Sequence, residues 1–234
     1  MIAGLVAGTP ALAAPTPSVI DGVVELFTSQ GCSSCPPADR LLAQLAARPD
    51  TVALTFAINY WDYIGWKDTL AAPEFTARQQ AYANGRPDPH VYTPEAVIDG
   101  LFDAVGSDKA AIEKALAHGK ASGQALSVSA HLRESGGKLE IDIGGGTAAP
   151  AEVYVLRVAR TRTVQISSGE NSGRRVTYTN VVRAIRKVSD WDGAPLSLKL
   201  TELRGDDEGY VVLLQRGSLD QPGAILAAAK SEGL

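Results

Sequence analysis

Cys32 and Cys35 are the two cysteines of this 234-residue chain, separated by Ser33 and Ser34 in the stretch Gly31-Cys32-Ser33-Ser34-Cys35-Pro36-Pro37. A pair at this spacing can close a small disulfide, open to a dithiol or grip a thiophilic metal. A bridge across so short a loop restrains little of the unfolded chain and is a poor staple, which favours reversible exchange over a structural role. Exchange needs a thiolate, whereas a free cysteine with a pKa of about 8.5 is mostly protonated at neutral pH. The unpaired amides and dipole of a helix N-terminus would stabilise that anion. Cys32, nearest such an end, is then the attacking sulfur and Cys35 the resolving one. His90 offers the alternative chemistry: joined to Cys32 and Cys35 it would complete a soft ligand set for copper(I), and the chain would then be a copper(I)-binding or protein-interaction module without redox turnover rather than an enzyme. A closed structural metal site is not available from this inventory, and no cofactor is expected.

The flanking residues supply the helix that the cysteines need. Val23-Val24-Glu25-Leu26-Phe27-Thr28 has the β-branched and aromatic content of a buried strand. After it, Ala38, Leu41, Leu42, Leu45 and Ala46 fall on one helical face, with Asp39, Arg40 and Gln44 off it, and Pro36 and Pro37 suit a first turn. Val52 to Ile58 reads as a second, central strand. Tyr60, Trp61, Tyr63 and Trp66 follow it as an apolar wall, with Tyr60 and Trp61 as candidates to line a substrate groove. A second helix is expected over residues 73–84, and Val91 to Ile98 and Leu101 to Val105 read as a hairpin around Asp99-Gly100. Ser107 then opens a further helix that ends by Gly119.

This order of elements, with Cys-x-x-Cys where the first strand meets the first helix, is similar to that of thioredoxin-like domains. The words Glu25-Leu26-Phe27-Thr28-Ser29-Gln30-Gly31-Cys32-Ser33-Ser34-Cys35-Pro36-Pro37-Ala38-Asp39, Tyr60-Trp61-Asp62-Tyr63 with Gly65-Trp66-Lys67-Asp68, and Val91-Tyr92-Thr93-Pro94 resemble the exported bacterial family catalogued as domain of unknown function 1223. The resemblance implies a cis-proline at Thr93-Pro94 beside the cysteines, shaping a groove for an extended substrate. It also implies a buried, proton-moving carboxylate at Glu25. The chain departs from thioredoxin itself in having no Trp before Cys32 and Ser-Ser between the cysteines, so the direction of electron flow stays open.

Beyond Gly119 the period changes to that of strands. Leu126 to Leu132 and Leu139 to Ile143 flank Gly136-Gly137 as a hairpin, and short strands continue through residues 153–158, 176–182, 196–203, 210–214 and 224–228. The expected architecture is an α/β thioredoxin-like domain over residues 15–121 followed by an all-β, sandwich-like region over 122–234. Arg160, Arg162, Arg174, Arg175, Arg183 and Arg186 read as a solvated sheet face rather than an anion site. Gly169-Glu170-Asn171-Ser172-Gly173-Arg174 and Asn180-Val181-Val182-Arg183 resemble the same family and are given no catalytic part.

Met1 to Ala14 is uncharged and apolar and ends in Ala11-Leu12-Ala13, the pattern of a secretory signal peptide, here without the usual Lys or Arg before the apolar run. That places the chain in the periplasm or outside the cell, where a disulfide can persist. A net charge of −4 with 45% hydrophobic and 21% charged residues gives no reason to expect nucleic acid or a membrane as partner. The expected partners are proteins or small molecules bearing thiols or disulfides, and the expected activity is exported thiol–disulfide exchange.

Overall fold

Strand β1 (Gly22–Thr28) is buried along its whole length and forms the axis of the first half of the chain. The computed structural model describes residues 19–147, 150–202 and 204–234, so the expected signal segment, Met1 to Ala14, lies outside the described residues. From β1 the chain passes through the cysteine loop into α1 (Pro36–Ala46) and returns as β2 (Thr51–Ala57), paired parallel to β1 from Gly22↔Thr51 to Thr28↔Ala57. A short 3-10 turn at Asp62–Ile64 and helix α2 (Pro73–Asn84) follow. On the other side of β1 lies a hairpin, with β3 (Glu95–Ile98) antiparallel to β1 and β4 (Phe102–Val105) antiparallel to β3. Helix α3 (Lys109–Ser122) is capped by Asp108, whose carboxylate accepts from Ala111 N, rather than by Ser107.

The period-two alternation of β1 decides what lies on each face of the sheet. Val24 and Leu26 pack against Leu41, Leu42 and Leu45 of α1 and Ile112 and Leu116 of α3. Val23 and Phe27 join Phe75 and Tyr82 of α2 in the cluster that also holds Tyr154, Leu213 and Ile225 from the second half. Glu25 shares parity with Val23 and Phe27 and so projects away from α1.

The second half contributes β5 (Ala130–Ser135), β6 (Lys138–Ile143), β7 (Ala151–Gln165), β8 (Arg175–Trp191), β9 (Leu196–Thr201), β10 (Glu208–Ser218) and β11 (Gln221–Lys230). Here the expected architecture of a thioredoxin-like α/β domain followed by a separate sandwich is corrected. Among the described residues the protein is mostly strand, with three α-helices, and both halves share one mixed sheet of eight strands in the order β11-β10-β7-β8-β2-β1-β3-β4. The join is at β2, whose apolar Thr-Val-Ala-Leu-Thr-Phe-Ala would otherwise present a buried, unpaired edge. β8 fills it: Thr55 pairs with Val181, Thr55 Oγ1 donates to Thr179 O at 2.7 Å, and Asn180 Nδ2 donates to Ala53 O at 3.0 Å. A three-stranded sheet, β5-β6-β9, covers the far end, with Leu139, Ile141 and Ile143 packed on Val153, Val155, Val212, Leu214 and Trp191.

β7 and β8 run well past the short apolar cores seen in the sequence and carry several of the arginines as ion-paired residues. Arg157 and Arg162 engage Glu208, Arg162 also meets Asp207, and Arg186 meets Glu202. No helix among the described residues is long and apolar enough to cross a membrane.

Candidate functional site

Cys35 is the N-cap residue of α1, and its carbonyl accepts the first helical amides, Ala38 N at 2.9 Å and Asp39 N at 3.1 Å. Its own N–H donates to Cys32 O at 3.2 Å, closing the turn that brings the two residues to a Cα–Cα distance of 5.4 Å, bridged as a disulfide. Cys32 and Cys35 are both buried, while Ser33 and Ser34 between them are exposed. Pro36 and Pro37 fit the first turn by lacking the amides that would go unpaired there. They also leave fewer N–H groups for a Cys32 thiolate, so a side chain matters more. The Ser34 hydroxyl lies 3.4 Å from Cys32 Sγ and 3.4 Å from Thr93 O.

Thr93 ties this turn to the aromatic segment. The Thr93-Pro94 peptide is cis, and Trp61 Nε1 donates to Thr93 Oγ1 at 2.8 Å. Trp61 stacks on Tyr63 with ring centroids 6.3 Å apart and lies 6.5 Å from the ring of Tyr60. Tyr63 is 80% exposed, which puts an aromatic face in solvent at the end of this row. Gly31 permits the approach, since a Cβ there would sit 2.9 Å from Trp61 Cβ. The structure thus links Cys32, Ser34, Thr93 and Trp61 by successive contacts, with Pro94 and Tyr60 as their immediate neighbours.

Glu25 and His90 make their contacts with other residues. Glu25 accepts from Arg78 Nε at 2.9 Å and Arg78 Nη2 at 3.0 Å, and from Tyr82 OH at 2.5 Å, so both its oxygens are engaged on the α2 face. Gln215 of β10 closes this network by accepting from Arg78 Nη2 at 2.9 Å and donating to Tyr82 OH at 2.7 Å. His90 is exposed and pairs with Asp88 at 3.4 Å. Among the described residues no three His, Cys, Asp or Glu side chains are grouped so as to hold a metal ion.

Two residues at the site had no role in the sequence reading. Asn171, in the connection between β7 and β8, is buried and donates from Nδ2 to Gln30 O at 2.9 Å and to Cys32 O at 2.8 Å. Gln30 is held in turn by Trp66 Nε1, which donates to its Oε1 at 2.7 Å, and by Asp68, which accepts from its N–H at 2.7 Å. The second half therefore grips the cysteine loop directly. Its resemblance words mark the segment but not this contact, because a loop residue has no periodicity to read. Asn171→Ala removes the donor from two carbonyls, and the expected loss is about 1–3 kcal/mol of unfolding free energy in urea titrations. An unchanged midpoint would show that the clamp contributes nothing net.

The second residue is Asp39. Its position off the apolar stripe of α1 suggests a solvent-facing side chain, yet it is 4% exposed. Thr28 Oγ1 donates to its Oδ1 at 2.8 Å, while Oδ2 is buried without a hydrogen-bond partner. Burial pushes its pKa up to about 7; the Thr28 hydrogen bond opposes the rise, the Asp68 carboxylate adds to it and Arg40 opposes it. The signal for it was the four-residue step from Cys35, which places both on one side of the helix.

The match to known proteins is broad. Residues 23–215 match the family described as "Protein of unknown function (DUF1223)". The solved structure of protein AGR_C_4864 from Agrobacterium tumefaciens is 36% identical, with a TM-score of 0.83 over 94% of this chain and 97% of that one. HBP35 of Porphyromonas gingivalis is similar in fold, with a TM-score of 0.65 at 12% identity over 91% of this chain and 75% of that one. No curated protein matches the sequence. With most of its length covered by the family and a relative this similar along nearly the whole chain, the protein belongs to the DUF1223 family.

Proposed function

We propose that the protein is a thiol–disulfide oxidoreductase, working outside the cytosol on proteins or small molecules that carry thiols or disulfides. The observation that carries this reading is the cysteine pair itself, bridged at the N-terminus of α1 with the Ser33-Ser34 turn facing solvent. In the reduced protein the Cys32 thiolate attacks one sulfur of a partner disulfide; that bond breaks and one partner thiolate leaves. Cys35, as thiolate, then attacks Cys32 Sγ, the mixed disulfide breaks, and the second partner thiol departs as the Cys32–Cys35 bridge forms. Two electrons have passed from the pair to the partner, and the same steps in reverse oxidise a partner dithiol. Ser34 has a defined part in this cycle. Its hydroxyl donates to Thr93 O or to Cys32 Sγ, and a thiolate at Cys32 is the stronger acceptor.

The test is alkylation of the reduced protein by iodoacetamide at neutral pH. Cys32 is expected to react well ahead of Cys35 and faster than a free cysteine. Ser34→Ala is expected to move the pH profile of Cys32 alkylation to higher pH, because the thiolate loses a hydrogen-bond donor. A Cys32 that reacts no faster than free cysteine, or a bridge that glutathione buffers of any poise leave oxidised, would end the oxidoreductase reading.

A further inference from the structure

Thiol exchange at this site has one proton to account for that the cysteines and Ser34 leave unplaced. Cys35 is fully buried at the helix end, and it must lose its thiol proton before it can attack the mixed disulfide on Cys32. Asp39 stands one helical turn further on, where residues four apart have Cβ atoms about 5–6 Å from one another. Its Oδ1 is occupied by the Thr28 hydroxyl, and its Oδ2 is a buried oxygen with no donor. Glu25, the carboxylate that the family resemblance would assign to proton movement, has both oxygens engaged by Arg78 and Tyr82.

We propose that Asp39 is the proton acceptor for Cys35: its carboxylate takes the Cys35 thiol proton as Cys35 attacks Cys32 Sγ, and returns it when the bridge is opened. This rests on the oxidoreductase reading and assigns the proton within it. In the forward step the Cys35 S–H bond breaks and an O–H bond forms on Asp39. The new S–S bond forms as the Cys32–partner bond breaks, and the partner thiolate carries away the electron pair. In the reverse step a partner thiolate attacks Cys32, and the leaving Cys35 thiolate recovers its proton from the Asp39 carboxyl.

The surroundings suit a group that must hold a proton in one state and release it in the other. Thr28 of β1 donates to Asp39, while Asp68, from the segment before α2, adds a second carboxylate whose own pKa is raised, chiefly by burial. Tyr178 of β8 lies buried within the influence of both acids, and burial raises its pKa, so it stays a neutral phenol. Arg40, on α1 itself, is exposed, and its charge opposes the rise at Asp39. A carboxylate poised near neutrality is matched to a proton transfer at neutral pH.

The experiment mixes the reduced protein with dithiobis-nitrobenzoate, an aromatic disulfide that releases one coloured thiolate when Cys32 attacks and a second when Cys35 resolves. In the wild type the second release should rise with pH through a midpoint near neutrality. Asp39→Asn is expected to slow the second release about 100-fold at neutral pH and to move its midpoint towards the ordinary thiol value of about 8.5. The first release should stay within about twofold of wild type, because Asp39 takes no part in that step. Thr28→Val, which removes a donor without touching the carboxylate, should move the second midpoint upward. A second release unchanged in rate and midpoint in Asp39→Asn, or a midpoint that ignores Thr28→Val, overturns the assignment. Loss of the first release in the wild type would instead overturn the oxidoreductase reading.

Discussion

Replacement of Glu25 by Ala lowers the unfolding free energy by about 3–5 kcal/mol, the expected result of stranding a buried charge. Arg78 and Glu25 are both almost wholly shielded from solvent and paired at 2.9 Å. Removing the carboxylate leaves the guanidinium with Tyr82 OH and Gln215 Oε1 as its remaining partners, since Nη1 has none. The Arg78 guanidinium also lies 4.9 Å from the centre of the Tyr82 ring and 5.7 Å from that of Phe56, and these contacts offset only part of the loss. A domain of this kind has about 5–15 kcal/mol of stability in total, so the variant retains a fraction of it. Urea unfolding followed by circular dichroism reads the effect. The double replacement Glu25→Leu with Arg78→Met should recover much of it, because an apolar pair needs no compensating charge. A loss below about 1 kcal/mol in Glu25→Ala would show the pair to be a surface-like contact despite its burial.

The second large effect is a dependence of stability on pH that Asp39 controls. Its folded-state pKa of about 7 stands above the ordinary 3.8 because of burial, so between these values the native state holds a proton that the unfolded chain has released. Stability from this group is complete below the unfolded value and falls as pH rises through the folded one. The slope approaches about 1.4 kcal/mol per pH unit, and the whole change is about 4 kcal/mol at its upper limit. Asp99, raised by burial to about 6, contributes with the same sign but has finished by pH 7. The interval around and just above neutrality therefore reports mainly on Asp39. Urea midpoints of the wild type should fall from pH 6 to pH 8, and those of Asp39→Asn should be flatter and higher at the alkaline end. A wild-type stability that holds level over this interval, or an equal slope in both proteins, would refute the assignment. A variant more stable than wild type but slower in resolving its mixed disulfide would show a functional group held at the expense of the fold.

The local elements around the cysteines were legible because they are written in periodicity. Val23 to Thr28 alternates between two apolar faces, the Ala38-Leu41-Leu42-Leu45 stripe marks α1, and Asp99-Gly100 joins β3 to β4 with both residues at positive φ, 54° and 68°. The link between the halves was not legible, because it depends on a pairing between Thr55 and Val181 that neither strand announces. Arginines in Val153 to Gln165 and Arg175 to Trp191 masked how far β7 and β8 extend, since their long apolar stems cover the sheet while their heads find acids on neighbouring strands. At the site, Cys32, Cys35 and Thr93-Pro94 were visible as residue types in a motif. Asp39 was hidden by being polar on a helix whose second side is also buried, under β8 and Tyr178.

The reach of β8 and its preceding loop also bears on the order in which the protein can be completed on the ribosome. Asn171 is 139 residues after Cys32, and the Thr179 carbonyl that meets Thr55 follows it by 124. At about 5–20 residues per second, the cysteine loop waits roughly 7–28 s after its own synthesis for its clamp. Lys230, which donates to Thr51 O, arrives later still, 179 residues downstream. Throughout that interval β2 has an open edge and the cysteine loop lacks the Asn171 contact, so the loop is made long before the residues that clamp it.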